Sequence, residues 1–296
     1  MLFLHAILSI RIYAMKNTFL VLFFLVIVPN LNAQNADTKK HLLTNYVSTA
    51  ELSALNMTDP YLSPLNYSGI GISYNIENSR FLTAENNLLS SQNKLKLQAG
   101  IMLNPQITAA MMYVGLNYGW GMQYHFRINK DFQVLAGGLW DVDFGFKDLD
   151  RNVNNPVNVD LATNLNLTGT AKYNIPMRRK TLQLQLDVQT PVVGFMFVPP
   201  GGASYFEMFQ LGNQTDAFHF SSLYNKRGLN TKFVVEVPFN RSVWHFGFRT
   251  SDLKYSANDL VFTRNEFSLV VGTTFNFIGF AGKKNKAPEN FISPNE

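Results

Sequence analysis

Large apolar residues alternate with small or polar residues along much of this chain. From Met112 to Phe126 every even-numbered position is large and apolar, while the odd-numbered positions hold residues such as Gly115, Asn117 and Gln123. A β-strand places successive side chains on opposite faces, so a period of two predicts a strand with one apolar and one polar face. The pattern returns in residues 95–101, 161–173, 182–188, 244–248 and 267–277.

Strands of this kind are typical of a barrel that is apolar outside and polar inside. A soluble barrel packs its apolar residues inward, whereas a membrane barrel turns them toward lipid. Aromatic residues near the predicted strand ends, with Trp120, Trp140 and Trp244 among them, suit the rims of a membrane-spanning band. We therefore predict an all-β fold, an antiparallel up-and-down transmembrane β-barrel. A secreted soluble β-protein is the alternative.

The number of strands follows from the alternating segments. A weaker segment at 42–49 supplies a tenth strand, and single-chain bacterial barrels normally have an even number. We expect about ten strands, with eight or twelve as alternatives, and at that size side chains fill most of the lumen. The nine clearer strands start near Tyr67, Lys94, Ala110, Phe132, Asp160, Thr181, Thr231, Ser242 and Phe267.

Short and long connections alternate between the predicted strands. The short ones are 129–131, 174–179 and 238–241. The long polar ones are 148–158, 199–225 and 251–266. In bacterial barrels the short turns are periplasmic and the long loops are extracellular, which predicts the orientation.

The beginning of the chain has the features of a secretion signal. Residues 19–28 are an apolar run that follows Met15-Lys16, and Ala33 precedes a suitable cleavage point. We expect a start-site extension and signal peptide in 1–33, the barrel in 34–280, and a disordered basic tail in 281–296. An uncleaved anchor helix is the alternative for the apolar run. No later segment is long and apolar enough to predict a membrane helix, and the expected location is the cell outer membrane.

The composition agrees with an exported membrane barrel. Charged residues are 15% and aromatic residues 14% of the 296 residues, against roughly 25% charged residues in soluble domains. Cysteine is absent, which excludes disulfides, thiolate catalysis and cysteine metal sites. Part of the net charge of +5 comes from Lys283, Lys284 and Lys286 in the tail. No basic patch with interleaved aromatic residues occurs, so we expect no nucleic-acid partner.

Several segments together resemble a known group of proteins. These are 61–69, 117–120 with 123–127, 136–141, 194–199 with 204–209, and 222–225. They resemble an uncharacterised family of outer-membrane-type proteins from Bacteroidota, and the resemblance covers most of the chain after the signal peptide. It implies a barrel in a bacterial outer membrane and implies no activity.

One short segment has the residue types of a serine hydrolase. His219 and Ser221 are two residues apart, which places them on the same face of a strand, and Asn225 follows. An imidazole that takes the hydroxyl proton makes a serine nucleophilic, and an Asn orients the ring. The pair is similar to the His-x-Ser pair of outer-membrane phospholipases and lipid A deacylases, but Asn225 lies farther from the serine than in those phospholipases. Ordinary polar residues of a loop or strand end are the alternative.

Charged side chains of both signs fall on the predicted lumen face. Paired charges that plug a narrow barrel are the favoured interpretation, because a lone buried charge is costly. A polar conduit for a small solute is the alternative. The predicted lumen set contains Lys94, Lys96, His125, Arg127, Asp141, Asp143, Lys147, Asp160, Lys172, Asp187, Lys232, Glu236 and Arg249.

Three functional hypotheses follow from these patterns. The first is a non-enzymatic outer-membrane barrel of structural or interaction type, with a filled lumen and long extracellular loops. The second is an outer-membrane lipid esterase, and the third is a narrow solute channel. The five histidines lack metal-ligand spacing and no phosphate loop occurs, so we expect neither metal nor cofactor. The expected partners are outer-membrane lipid, the barrel-assembly machinery, and an unknown protein or small solute.

Overall fold

The computed structural model describes residues 41–83, 87–152, 155–178, 180–210, 215–239, 242–277 and 291–292. The described residues fall within one compact unit formed by 40–280 and 284–296. The expected signal peptide lies outside the described residues. Of the expected disordered tail only Phe291–Ile292 is described, and it pairs in parallel with His41–Leu42.

Long β-strands make up most of the described chain. They are β1 (His41–Leu42), β2 (Thr44–Asp59), β3 (Ser63–Phe81), β4 (Leu89–Leu103), β5 (Ala110–Arg127), β6 (Phe132–Leu149), β7 (Val157–Pro176), β8 (Thr181–Phe197), β9 (Phe218–Ser222), β10 (Lys226–Phe239), β11 (Ser242–Ala257), β12 (Leu260–Phe277) and β13 (Phe291–Ile292). A short helix α1 (Tyr205–Gln210) and a 3₁₀ turn (Thr215–Ala217) lie between β8 and β9.

Ten antiparallel strands close into a barrel, as the alternation predicts. Neighbours in sequence pair from β2 through β8 and from β10 through β12. Two further pairings complete the wall: β12 pairs with β2, and β10 pairs with β8. The connections 60–62, 104–109, 150–156, 198–225 and 258–259 lie at one end, which we call the loop end. The other end, called the turn end, is where β3, β5, β7 and β10 finish.

The strands are longer than the sequence pattern indicates. Most of the weak segment 42–49 belongs to β2, which begins at Thr44, and the prediction of a long loop at 251–266 is wrong. Those residues continue β11 and β12, which stay paired from Val243–Thr274 up to Ala257–Leu260. A two-residue turn joins the two strands, with φ of 51° at Asn258 and 58° at Asp259. Positive φ at both residues matches the right-handed twist of a hairpin, and Asn and Asp tolerate that conformation.

Strand β8 changes its partner along its length. Residues Gln183–Gln189 pair with β10, whereas Val193–Phe197 pair with β9. The change occurs at Pro191, which has no N–H to donate, and the register against β7 shifts at the same place. Thr190 Oγ1 bridges the gap by donating to the carbonyl of Gly228 at 2.8 Å. The barrel wall is therefore irregular at this point.

The outer face of the barrel is apolar. Its exposed side chains include Ile70, Ile72, Leu97, Val114 and Leu167 at mid-strand positions. Within the described residues, no helix is both long and apolar enough to cross a membrane. The inner face is polar over most of its length, and the candidate functional site therefore lies in the lumen.

Candidate functional site

An apolar cluster occupies the loop end of the lumen. The helix α1 covers it: the Tyr61 hydroxyl donates to the Ala203 carbonyl at 2.8 Å, and the Tyr61 and Tyr205 rings meet edge to face at 6.0 Å. Burial, with Asp59 nearby, raises the pKa of Tyr61 to about 12, so this phenol stays a hydrogen-bond donor. The cluster contains Leu55, Met57, Tyr61, Leu62, Tyr67, Met102, Ala109, Met111, Tyr113, Leu149 and Phe262.

Below the apolar cluster, Lys147 is the centre of a buried charge group. Its ammonium is fully buried and donates to Asp59, and also to Asp160 Oδ1 at 2.8 Å. The amide of Asn158 donates to Asp59 at 2.7 Å and accepts from the Tyr205 hydroxyl at 2.8 Å. The contacts join β2, β6, β7 and the α1 connection, so this charge group also fixes the cover of the lumen.

Arg249 is the centre of a second charge group. Its guanidinium donates to Glu51 at 2.5 Å and to Glu266 at 2.6 Å. Lys96 lies 3.4 Å from Glu266. Hydroxyls also donate to these carboxylates: Ser73 to Glu51 at 2.9 Å, and Ser53 and Ser268 to Glu266 at 3.0 and 2.9 Å. The two acids and two cations thus balance in charge across the lumen.

Asp141 and Asp143 have amide partners instead of cations. Asn164 donates to Asp141 at 2.8 Å and to Asp143 at 3.0 Å, and Asn166 donates to Asp141 at 2.8 Å. Asn117 donates to Asp143 at 2.6 Å. Within the described part of the chain no cation lies in ion-pair contact with either carboxylate. The nearby ammonium of Lys226 donates instead to the side-chain oxygen Oδ1 of Asn164 at 2.7 Å.

Lys232 links the upper and lower parts of the lumen. Its ammonium lies 2.6 Å from Glu77 and 3.5 Å from Asp187. Thr170 donates to Asp187 at 2.7 Å. These contacts cross from β3 to β8 and β10, so the side chains span the lumen at this depth.

Near the turn end the polar groups are histidines and their partners. His245 lies 3.6 Å from Glu236 and hydrogen-bonds Thr274. The two ring nitrogens of His125 meet Ser90 at 2.7 Å and Gln133 at 2.8 Å. Lys172 is also buried here. Arg127, at the last position of β5, is exposed.

The described residues line at least two cavities in the lumen. The larger, of about 200 Å³, is lined by Asn75, Lys94, Asp141 and Asp143 among other residues. The smaller, of about 60 Å³, is lined by His125, Lys172 and Glu236. Lys94, Lys232 and Asp187 line both. The predicted lumen residues Asp160 and Arg249 line the larger cavity, whereas Arg127 lines neither.

The three candidate hydrolase residues lie on and after β9. Ser221 is buried, and Nε2 of His219 is buried without a hydrogen-bond partner among the described residues. No hydrogen bond of the described chain joins His219 to Ser221. Asn225 serves the turn after β9: its side chain accepts from the Ser222 N–H at 2.8 Å and donates to the Phe220 carbonyl at 2.9 Å. The structure therefore brings the pair to one strand without assembling a hydrogen-bonded triad.

The family is known from a sequence comparison. The family model of DUF3316, described as a protein of unknown function, matches residues 19–284. The chain belongs to the DUF3316 family. The expectation of an uncharacterised family is confirmed, while an origin in Bacteroidota stays a prediction.

Solved structures with similar folds add nothing on the function of this DUF3316 protein. The chain is similar to the translocator domain of the autotransporter NalP from Neisseria meningitidis, with 8% identity, a TM-score of 0.38, and 91% of this chain and 97% of that chain covered. It is also similar to the outer membrane protease OmpT from Escherichia coli, with 6% identity, a TM-score of 0.45, and coverage of 82% and 99%. No curated protein sequence matches the chain.

Sequence reasoning missed several lumen residues of the DUF3316 barrel. Glu266 was assigned to a loop, although the Asn258-Asp259 pair is a signal for a tight hairpin. The apolar cluster at the loop end was missed because the inner faces of the strands were expected to be polar along their whole length. Segments where both strand faces are apolar, such as 101–103 and 111–114, were the available signal. Other lumen groups missed are Glu51, Asp59, Glu77, Lys226, His245 and Arg264.

Proposed function

We propose that this protein is an integral outer-membrane barrel of structural or interaction type whose lumen gives solutes no passage from one end to the other. The apolar outer face supports membrane insertion, since a closed sheet leaves no unpaired edge in lipid. Lipid then contacts the wall, and the barrel-assembly machinery inserts the chain. In this orientation the turn end faces the periplasm and the loop end faces the outside.

The observation that carries closure is the occupation of the lumen at successive depths. The apolar cluster fills the loop end, and below it Lys147, Arg249 and Lys232 each reach carboxylates of other strands. Separating such buried pairs leaves charges without partners, which is strongly unfavourable. Side chains that are held by ion pairs therefore cross the interior at several depths and leave only enclosed cavities between them, which suits a stable scaffold better than a conduit.

The connection 198–225 supplies the surface for a partner. Its helix α1 buries Met208 below and leaves Phe206 and Phe209 exposed, at 70% and 50%. Exposed aromatic residues on a helix whose other side packs against the barrel suit contact with another protein. An interaction role for the loop end follows from this arrangement.

Membrane insertion is tested first. The native chain is expected in the outer-membrane fraction, resistant to carbonate extraction, and the purified barrel is expected to migrate faster in a gel when unheated than when boiled. Recovery of a water-soluble protein without that heat shift would contradict the proposal.

Closure is tested by conductance in planar bilayers. The wild-type protein is expected to give no discrete current steps. A variant with residues 199–216 replaced by a short Gly-Ser linker loses the α1 cover and is expected to remain silent, because the charge groups below it stay in place. Steps in the wild type would contradict a closed barrel, and steps in the variant alone would assign closure to the loop.

A further inference from the structure

The larger cavity has two oppositely charged sides that do not neutralise each other. The strand registers place Lys94 of β4 opposite Gly119 of β5, and Gly119 opposite Asp141 of β6. One step along the same strands, Lys96, Asn117 and Asp143 are aligned in the same way. A cationic wall and an acidic wall thus lie two strand spacings apart, roughly 10 Å between backbones.

The cationic side has hydrogen-bonding capacity that the protein does not use. Lys94 makes no ion pair or hydrogen bond within the described part of the chain. Its partner in the strand register, Glu77, forms an ion pair with Lys232 at 2.6 Å instead. Nδ2 of Asn75 is buried without a partner among the described residues, and Asn75 and Lys94 line the same cavity. An unsatisfied buried donor is costly, so an acceptor in the cavity would relieve that cost.

The acidic side has no cation in direct ion-pair contact within the described residues. Asp141 is 3% exposed and, with Asp143, accepts from the amides of Asn117, Asn164 and Asn166, while Gln189 lies 3.5 Å from Asp141. The ammonium of Lys226 is close by but donates to Asn164, so one cation stands near two carboxylates. These carboxylates are pre-oriented and keep lone pairs free, so a positively charged group in the cavity would add a direct ion pair.

From this arrangement we infer that the larger cavity binds a small zwitterion, such as an amino acid or dipeptide. Its carboxylate is received by Lys94 and Asn75, and its ammonium by Asp141 and Asp143. The volume of about 200 Å³ accommodates a solute of this size, because roughly 10–15 Å³ of such space holds one water. A neutral solute or a single ion leaves one wall uncompensated.

This binding is separate from the proposed function, because a cavity that a solute reaches from one end of the barrel needs no passage through it. The test is calorimetric titration of the full-length protein, folded in detergent, with L-alanine and glycylglycine as zwitterions. Sodium acetate and methylammonium chloride carry one charge each. At least one zwitterion is expected to bind at one site, with affinity at least about tenfold above either single ion, a difference of about 1.4 kcal/mol.

The decisive variant is Lys94→Gln, because it removes a cation without an ion-pair partner and leaves the described charge groups intact. Its zwitterion affinity is expected to fall at least about tenfold. Asp143→Asn is expected to do the same, and Arg127→Gln, at the exposed end of β5, is the matched control with unchanged affinity.

The inference is overturned if neither zwitterion binds at millimolar concentrations, which would mean that the cavity holds water alone. Equal binding of acetate would make it an anion site and would also overturn the inference. Unchanged zwitterion affinity in Lys94→Gln would place the ligand elsewhere. None of these results bears on conductance or membrane insertion, so failure here is distinguishable from failure of the closed barrel.

Discussion

Trp120 of β5 and Trp140 of β6 are direct partners in the strand register, and both side chains project from the outer wall, at 45% and 43% exposure. Trp244 projects from the wall in the same way on β11. These are the three tryptophans of the chain. Such large apolar surfaces on a soluble barrel would be unusual, whereas they suit contact with lipid.

Tryptophan fluorescence therefore tests lipid contact directly. In vesicles, lipids brominated on their acyl chains are expected to quench most of the emission, while aqueous iodide is expected to quench little. The double variant Trp120→Phe and Trp140→Phe is expected to keep lipid quenching of Trp244 alone. Strong iodide quenching with no effect of brominated lipid would contradict an outward lipid-facing wall.

Close approach of β10 and β11 predicts a severe effect of one glycine substitution. A Cβ at Gly247 would lie 1.9 Å from the Phe233 carbonyl oxygen and 2.8 Å from the Val234 Cα, so Gly247→Ala forces the strand backbones apart. We expect a loss of about 2–3 kcal/mol in the free energy of unfolding, measured by urea titration in detergent.

The matched control is Gly169→Ala on β7. A Cβ there meets nothing within 4 Å, so the change is expected to stay within about 0.5 kcal/mol of the wild type. If the two alanine variants unfold at the same urea concentration, the registered contact between β10 and β11 is wrong.

Lys147→Met tests the buried charge group below the mouth. The substitution leaves Asp59 and Asp160 without their cation. It also removes the ammonium that lies 4.4 Å from the centre of the buried Phe262 ring. We expect a destabilisation of about 3–5 kcal/mol. The exposed Lys130→Met is the control and is expected to change the free energy of unfolding by less than about 0.5 kcal/mol.

Removing all three charges of the Lys147 group together separates the electrostatic contribution to stability from the contribution of packing. The triple variant Lys147→Met, Asp59→Asn and Asp160→Asn is expected to regain most of the lost stability, since no uncompensated charge remains. If it is as unstable as Lys147→Met alone, the damage comes from lost packing, and the role assigned to the ion pairs is wrong.

Ester hydrolysis is expected to be absent from the wild-type protein and unchanged in Ser221→Ala. The reason is that Ser221 has no hydrogen bond to His219 and that Asn225 is occupied by the turn after β9. Phospholipid and lipid A ester cleavage by the purified barrel are the measurements. Turnover that disappears in Ser221→Ala would restore the esterase hypothesis.

Asn225→Ala gives a separate expectation for the same residues. It removes two hydrogen bonds, to Ser222 and Phe220, and is expected to cost about 1–2 kcal/mol of stability without any enzymatic phenotype.

Much of the barrel could be predicted from the sequence, because the outer wall is apolar and the lumen is largely polar, so alternate residues differ in character. Met112 to Phe126 shows this clearly, and β5 contains all of that segment. The pattern fails where both faces meet similar surroundings. Leu55 and Met57 point into an apolar mouth, so their strand lacks the contrast that identifies the others.

The partners within the lumen could not be predicted in the same way. A period of two tells which side chains point inward, but pairing Lys147 with Asp59 requires the strand order, the registers and the closure of the barrel. The wrong prediction of a loop at 251–266 had a local cause. Polar residues such as Asp252 and Arg264 are typical of loops, and the sequence alone does not show that they face the lumen. Pro191 is visible in the sequence as a residue without an N–H donor. That β8 changes its partner strand at this residue became clear only from the strand pairing.

The charge groups join segments that are far apart in the chain: Glu51 and Arg249 are separated by 198 residues, and Lys96 and Glu266 by 170. Arg249 can meet Glu266 within the β11–β12 hairpin, but Glu51 and Lys96 reach these two residues only when the last strands dock on the first. If the barrel inserts as proposed, an incomplete sheet would carry Glu51 and Lys96 into hydrocarbon without these partners, which is unfavourable. The ion pairs between the first and last strands therefore favour closure of the wall before or during insertion.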